Sequence, residues 1–410
     1  MKMAKNLRWA AMIAAIMLLG VLASRAARAE EAAHSQIYGF AMLDAGFMSE
    51  AVDPTWFDTM RPSKLPSAKD AFGKEGQTFW GVRQSKLGVK SWVPTSMGQL
   101  FTQFEFDMYG VGADAGQTTI RPRIFYGELG HWGAGQIMSP FMDIDVFPNC
   151  LDYWGPNGML FFRNPQIRFI NVKGDNKLTV ALERPGASGD LGTSRDEFPA
   201  VGGAEIIPSF PLPDLSGNFH MGQKWGYLQI GGIVRQIKWQ TLNATPTQDV
   251  NGSVTGWGGT VSGNFNRGKT DVLRAQFTYG EGIENYFNDA PVDVATKPHP
   301  ADPANPIDGV ALPITGVSVF VDHTWNEKYS STFGYSQDVV QNSVLQRPDA
   351  FHMGQYALAN ILYTPVPDAM MGIELGWEKR TNNTDGFDVD NIVVHASFKY
   401  NFSINTGGGK

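Results

Sequence analysis

Six cations carry the spacing that could do chemistry: Lys86, Lys90, Arg121, Arg123, Arg163 and Arg168. Guanidinium forks match carboxylates bidentately and ammonium groups act as point charges, so these residues would recognise small anions rather than make or break bonds. Lys86 and Lys90 alternate with apolar Leu87 and Val89, and Arg121 and Arg123 stand two apart. That spacing lays each set along one face of a β-strand. If the strands flanking residues 111–117 pair about that connection, Asp107 stands opposite Arg121 and Glu105 opposite Arg123, within ion-pair reach. Lys86 is then also answerable by Glu105. Arg168 differs, because the turn at Gly174-Asp175 sets it against Ala181 and leaves its guanidinium without a carboxylate.

Other chemistries find little support. The seven histidines lack metal-ligand spacing, Gly133-Ala134-Gly135 opens no helix that could cradle phosphate, and His395 and Ser397 share the strand's polar face rather than the lipid side an outer-membrane hydrolase would use. No enzyme, metal or cofactor is expected.

Strands must hold these side chains. Ile392, Val394, Ala396, Phe398, Tyr400 and Phe402 occupy every second position, with His395, Ser397, Lys399 and Asn401 between them. The same period recurs in Met371-Ile373-Leu375-Trp377, in Leu273-Ala275-Phe277-Tyr279 and in Thr102-Phe104-Phe106-Met108. Sixteen such segments are readable, near 36–48, 78–92, 98–110, 118–128, 132–139, 164–173, 177–184, 217–223, 225–239, 253–266, 270–280, 315–325, 328–336, 352–363, 369–379 and 390–402. Their connections alternate between a long phase (49–77, the intermediate 111–117, 140–163, 185–216) and a short one, the short ones carrying turn chemistry such as Asn266-Arg267-Gly268-Lys269. An ordinary sandwich has no reason to keep that parity. The pattern predicts an all-β fold: a transmembrane antiparallel β-barrel of about 16 strands, short turns on one side of the membrane and long extracellular loops on the other. A free edge cannot be satisfied in hydrocarbon, so the first strand should pair with the last.

The ends agree with export. Lys2, Lys5 and Arg8 precede an apolar run from Trp9 to Ala23 and the small-residue site Ala27-Arg28-Ala29, which predicts a signal peptide over 1–29. Its removal takes away five of the 33 basic residues and none of the 40 acidic ones, moving the net charge from −7 to −12 and disfavouring nucleic acid as a partner. The barrel is expected over 30–402 and a short tail over 403–410. One cysteine, Cys150, excludes an intramolecular disulfide.

The third long loop is too apolar to stand in solvent. It carries Phe141, Ile144, Val146, Phe147, Leu151, Tyr153, Trp154 and the run Met159-Leu160-Phe161-Phe162. Folding inward across the lumen would bury much of this surface and narrow the passage. Phe141, Asp143, Asp145, Asp152 and Trp154 are accordingly expected in a constriction loop, with Arg163 and Arg168 beyond its end.

Four stretches, Tyr38-Gly39-Phe40-Ala41-Met42-Leu43-Asp44, RQSKLGVK at 83 to 90, FEFDMYGVG at 104 to 112 and the long segment at 135 to 169, resemble the DcaP family of outer-membrane transporters. The resemblance implies a sixteen-stranded trimeric porin in a Gram-negative outer membrane, surrounded by its lipid. It further implies an arginine-rich constriction admitting small anionic solutes, notably dicarboxylates including aromatic ones. The matching positions are Arg83, Lys86, Arg121, Arg123, Arg163 and Arg168, of which Arg83 alone has the wrong strand parity. A phosphate-type or general porin, or a structural protein with a blocked lumen, stands as the alternative.

Overall fold

Leu375 is 56 % exposed and its neighbour Glu374 1 % exposed, the inverse of a water-soluble strand. The same inversion holds for Ile373, Ile392, Val394 and Phe398 outside against Glu378, His395 and Ser397 inside. Apolar side chains can stand outward in this way where the outer face meets lipid and the polar face lines a lumen.

The computed structural model describes residues 32–198, 205–242, 250–302 and 305–407. The expected signal peptide lies outside them. Sixteen antiparallel staves form one closed sheet. They are β1 (His34–Met48), β2 (Gln77–Gly81 and Lys86–Thr95), β3 (Gly98–Tyr109), β4 (Thr118–Leu129), β5 (Trp132–Met138), β6 (Arg163–Lys173), β7 (Asn176–Glu183) and β8 (Glu205–Ser209 and Asp214–Gln223). After them come β9 (Gly226–Leu242), β10 (Gly252–Arg267), β11 (Asp271–Glu281), β12 (Pro313–Thr324), β13 (Tyr329–Val340), β14 (Phe351–Val366), β15 (Ala369–Asn382) and β16 (Asp388–Gly407). β1 pairs with β16 from His34–Gly407 to Met48–Val393, which removes the free edge. A small three-stranded sheet of Gly189–Asp190, Val294–Pro298 and Ile307–Ala311 stands at the long-loop end. Exposed Trp225, Trp325 and Tyr329 mark the short-turn end, where amphipathic rings suit a water boundary.

Three expectations need correction. β16 does not stop at Phe402: Ser403 to Gly407 continue its ladder with β1, so the expected tail is strand up to the last described residue. β8 is longer than read, because a break at 210–213 hid its first piece. β2 is not the single strand expected over 78–92. Asp44 pairs with Gly81 and Phe40 with Lys86, so four residues of β2 oppose three of β1. This bulge reverses which parity faces inward. Phe79 is buried and Trp80 exposed before it, whereas Leu87 and Val89 are exposed after it.

The apolar core sits inside the barrel. One cluster joins Phe141, Met142 and Leu160 of the third long loop to Ile283, Tyr286 and Phe287 of the connection after β11 and to Ile314 and Val340 of the wall. Another joins Val52, Met60 and Leu65 of the connection after β1 to Met48, Phe79, Phe320 and Tyr356. Three long connections therefore fold inward, not the third alone. With no edge from which detergent can open the sheet, boiled and unboiled samples should migrate differently on a denaturing gel. Identical migration would count against closure.

Candidate functional site

The third long loop, residues 139–162, lies along the inner wall across eight consecutive staves. Asn218 of β8 donates to Pro140 O at 2.7 Å and Gln229 of β9 to Met142 O at 3.2 Å. Ser262 of β10 donates to Asp143 at 2.6 Å, and Gln276 of β11 accepts from Leu160 N at 2.8 Å. Asp322 of β12 holds Asn149, Ser336 of β13 accepts from Gly158 N, Tyr356 and Asn360 of β14 hold Asp152 and Asn149 O, and Glu374 of β15 accepts from the amides of Leu151 and Asp152 at 2.8 and 3.0 Å. The wall's own backbone is spent in its ladders, so the loop's polar groups are satisfied by side chains. Contact is close enough that a Cβ on Gly158 would stand 2.1 Å from Gln337 O.

This docking decides where the expected loop residues point. Phe141 is fully buried in the apolar cluster, away from any passage. Asp143 turns to the wall, accepting from Tyr227, Ser262 and the amide of Asp145. Asp152 accepts from the amides of Met60 and Gly155 and from the Tyr356 hydroxyl. Burial, with Glu374 nearby, pushes its carboxyl up to about 6. Burial likewise raises Asp143. Asp145 remains exposed, while its carbonyl accepts from Asn264 and Arg274. Of the five, Trp154 and one edge of Asp152 line the central cavity.

That cavity, about 670 Å³, lies between the docked loop and the β2–β6 wall. Tyr153, Trp154, Phe161, Phe162 and Phe287 give it aromatic faces; Arg61, Arg123 and Arg163 give it charge. Arg121 and Arg123 are compensated as expected. Arg121 holds Asp107 bidentately at 3.0 and 2.6 Å, and Arg123 reaches Glu105 at 2.9 Å and Asp107 at 2.8 Å. The pairing of Asp107 with Arg121 is also the ladder register, whereas Glu105 stands opposite Ile124, Arg123 being the extra residue of a bulge. Tyr153 closes over both arginines, stacked on Tyr109 at 3.8 Å.

Arg163 is different. It makes no ion pair among the described residues, and its Nη1 is buried without a hydrogen-bond partner, the guanidinium lying 5.3 Å from the Phe161 ring. Arg168 faces Ala181 as expected and has no carboxylate partner among the described residues. It leans on Gln166 at 3.0 Å and on Met138 O, beneath Tyr126. Lys86 is 3.5 Å from Glu105, and Lys90 lies over Tyr38 nearer the short-turn end.

One arginine, Arg61, escapes the sequence reading, and Arg83 faces the opposite way from its expected parity. The β2 bulge turns Arg83 inward, where it is 1 % exposed, bonded to Asp58 at 2.8 Å and stacked on Tyr109; it anchors the first long connection and does not line the cavity. Burial pushes the Asp58 carboxyl up to about 6 against the pull of Arg83. Arg61 stands at the cavity between Trp56 and Trp154, 4.3 and 3.9 Å from their rings, and bonds Asp289 at 2.8 Å. A second cavity, about 480 Å³ and floored by Trp239 and Ile237, opens at the long-loop end and contains none of the expected residues. No group of His, Cys, Asp and Glu suited to a metal occurs among the described residues.

Residues 76–219 match the family described as DcaP outer membrane protein, a span that holds three of the four resembling stretches. The outer membrane channel DcaP of Acinetobacter baumannii shares the fold at a TM-score of 0.73 and 22 % identity, over 93 % of this chain and 100 % of that one. The anion-selective porin from Comamonas acidovorans gives 0.55 at 9 % identity, over 90 % and 100 %. OmpT of Vibrio cholerae gives 0.53 at 13 %, over 93 % and 99 %. No curated protein matches.

Removing one wall carboxylate tests the docking. Glu374→Ala leaves the amides of Leu151 and Asp152 and the Asn360 side chain short of an acceptor, at about 1–3 kcal/mol for each buried donor left unpaired. Limited proteolysis should then cut between 149 and 158 in the variant and spare the parent, with heat-modified migration retained. Equal resistance would show that the carboxylate does not hold the loop.

Proposed function

We propose that this chain is a trimeric outer-membrane porin of the DcaP type that passively admits small organic anions, aromatic and aliphatic dicarboxylates foremost. The observation that carries the reading is charge bookkeeping at the cavity. Asp143 and Asp152 are engaged by loop and wall donors, Glu105 and Asp107 by Arg121 and Arg123, whereas Arg163 and Arg168 form no ion pair with a carboxylate among the described residues, Glu183 and Glu128 acting on Arg168 only at longer range. A planar solute with a carboxylate would meet a guanidinium fork and aromatic faces together. The long loops then belong outside the cell and the short turns in the periplasm, as in bacterial barrels generally.

The family match supports this reading, as do the solved DcaP channel and the anion-selective porin from Comamonas acidovorans. The trimer rests on the resemblance, supported by a structure of OmpT described as its trimer form. The inward clusters favour a narrow passage over a wide general pore.

Planar-bilayer recording tests the sign. In a salt gradient the reversal potential should report anion preference; cation preference would sink the proposal, and a silent membrane would favour a sealed structural barrel. Arg163→Ala and Arg168→Ala should each weaken block by a dicarboxylate by about tenfold, the order expected for one lost charge-assisted bond. Arg121→Ala should weaken it less. Equal losses would mean that the paired arginine binds solute as well.

A further inference from the structure

Past the cavity, toward the short turns, a second cationic surface lines the lumen on three neighbouring staves. Lys399 of β16 lies 4.2 Å from the Phe40 ring of β1, and Lys86 of β2 lies 5.3 Å from the same ring. The two ammonium groups are therefore within about 9.5 Å of each other, the sum of those distances. Lys90 stands further along β2, 4.9 Å from Tyr38. The registers fix the order: Met42 pairs with Lys399, Phe40 with Lys86, and Gln36 with Lys90, a descent along β1. Lys399 also pairs with Met370, one residue past the start of β15 at the turn from β14.

The charge on this surface is under-compensated. Glu105 is 3.5 Å from Lys86, but Arg123 holds it at 2.9 Å and the Tyr38 hydroxyl at 2.8 Å. Lys90 and Lys399 enter no ion pair among the described residues. Asp44, the carboxylate of β1, attracts Lys399 without an ion pair and is shared with Ser397 at 2.5 Å and His395 at 3.1 Å. All three lysines are part-exposed to the lumen.

We propose that Lys86, Lys90 and Lys399, with Phe40 and Tyr38, form a separate exit station that takes carboxylate anions released from the arginine cavity and passes them to the periplasm. It rests on the anion-porin reading and adds a second binding position to it. The chemistry differs from that of the cavity in the direction transport needs. A guanidinium fork holds a carboxylate in fixed geometry, whereas a lysine ammonium is a compact, strongly hydrated point charge that attracts without shaping. Flux through a selective pore requires sites attractive enough to enter and weak enough to leave. A carboxylate leaving the cavity toward the short turns would meet Lys86 and Lys399 first and Lys90 after them, in the order of the β1 register.

The test records the full-length protein in planar bilayers, with succinate added to one side at a time. In Lys90→Gln/Lys399→Gln the association rate for block from the short-turn side should fall at least fivefold, while that from the long-loop side stays within twofold. The fall should shrink as salt rises, because a point-charge site is screened. Arg163→Ala should shorten each block, whichever side the succinate is added to. An unchanged association rate in the double variant, with wild-type anion preference intact and heat-modified migration retained, overturns the exit station and leaves the porin reading standing. Cation preference in the wild type overturns both. Lys399→Arg supports the station if association is retained and each block lengthens, and counts against it if association is lost.

Discussion

Loop backbone laid against a closed barrel wall must find partners that are not backbone. Every stave of the wall has spent its amides and carbonyls on its neighbours, and the loops that fold inward bring more. The acidic and amide side chains on the inner faces of β8 to β15 meet this demand, Glu374 taking two loop amides and Asp322 and Ser336 others. Negative charge on this side of the lumen is thereby committed to holding the loop, and little of it faces the passage. On the opposite wall, β4 and β6 present arginines to an open cavity. On the anion-porin proposal, the electrical sign of the passage follows from a requirement of backbone hydrogen bonding.

The same requirement explains why three connections fold in together. The first long connection caps the third, Met60 N bonding Asp152 and Arg61 stacking on Trp154. The connection after β11 supplies Tyr286 O to Phe161 N, and Asp289 to Arg61 and Ser63. None of these loops buries its apolar side alone. Packed together they build a core inside the barrel, which the wall's outward apolar face has no means to supply. A pore of this size would otherwise be a wide aqueous channel.

Strand period, loop parity and closure were legible because they are local or fixed by the solvent: a side chain every second residue faces lipid, and the edges must meet. The pairing of Asp107 with Arg121 and of Arg168 with Ala181 was legible because short connections set register. Bulges were not. One extra residue in β2 turns Arg83 from the lipid side to the lumen, and one in β4 moves Glu105 from Arg123 to Ile124 without breaking their ion pair, because a long side chain spans the offset. The break in β8 hid a strand piece for the same reason. The direction of Asp143 and Asp152 was illegible too, since it depends on residues more than eighty positions away, Tyr227, Ser262 and Tyr356.

The anion path proposed for this barrel is therefore compatible with an acidic chain. Net charge counts ionisable groups; the potential in a passage counts those whose charge is not already answered within a few ångströms. Each loop amide that bonds a wall carboxylate places a partial positive charge against it, and each arginine paired with Glu105 or Asp107 subtracts a charge of either sign. What survives near the cavity is Arg163 and Arg168, and further down Lys90 and Lys399. A single added carboxylate on the β6 face would answer Arg168, and loss of Asp107 from β3 would free Arg121, Arg123 keeping Glu105. On the proposed reading, selectivity is set by the remainder of that local pairing rather than by the net charge, −7 for the whole sequence and −12 without the expected signal peptide.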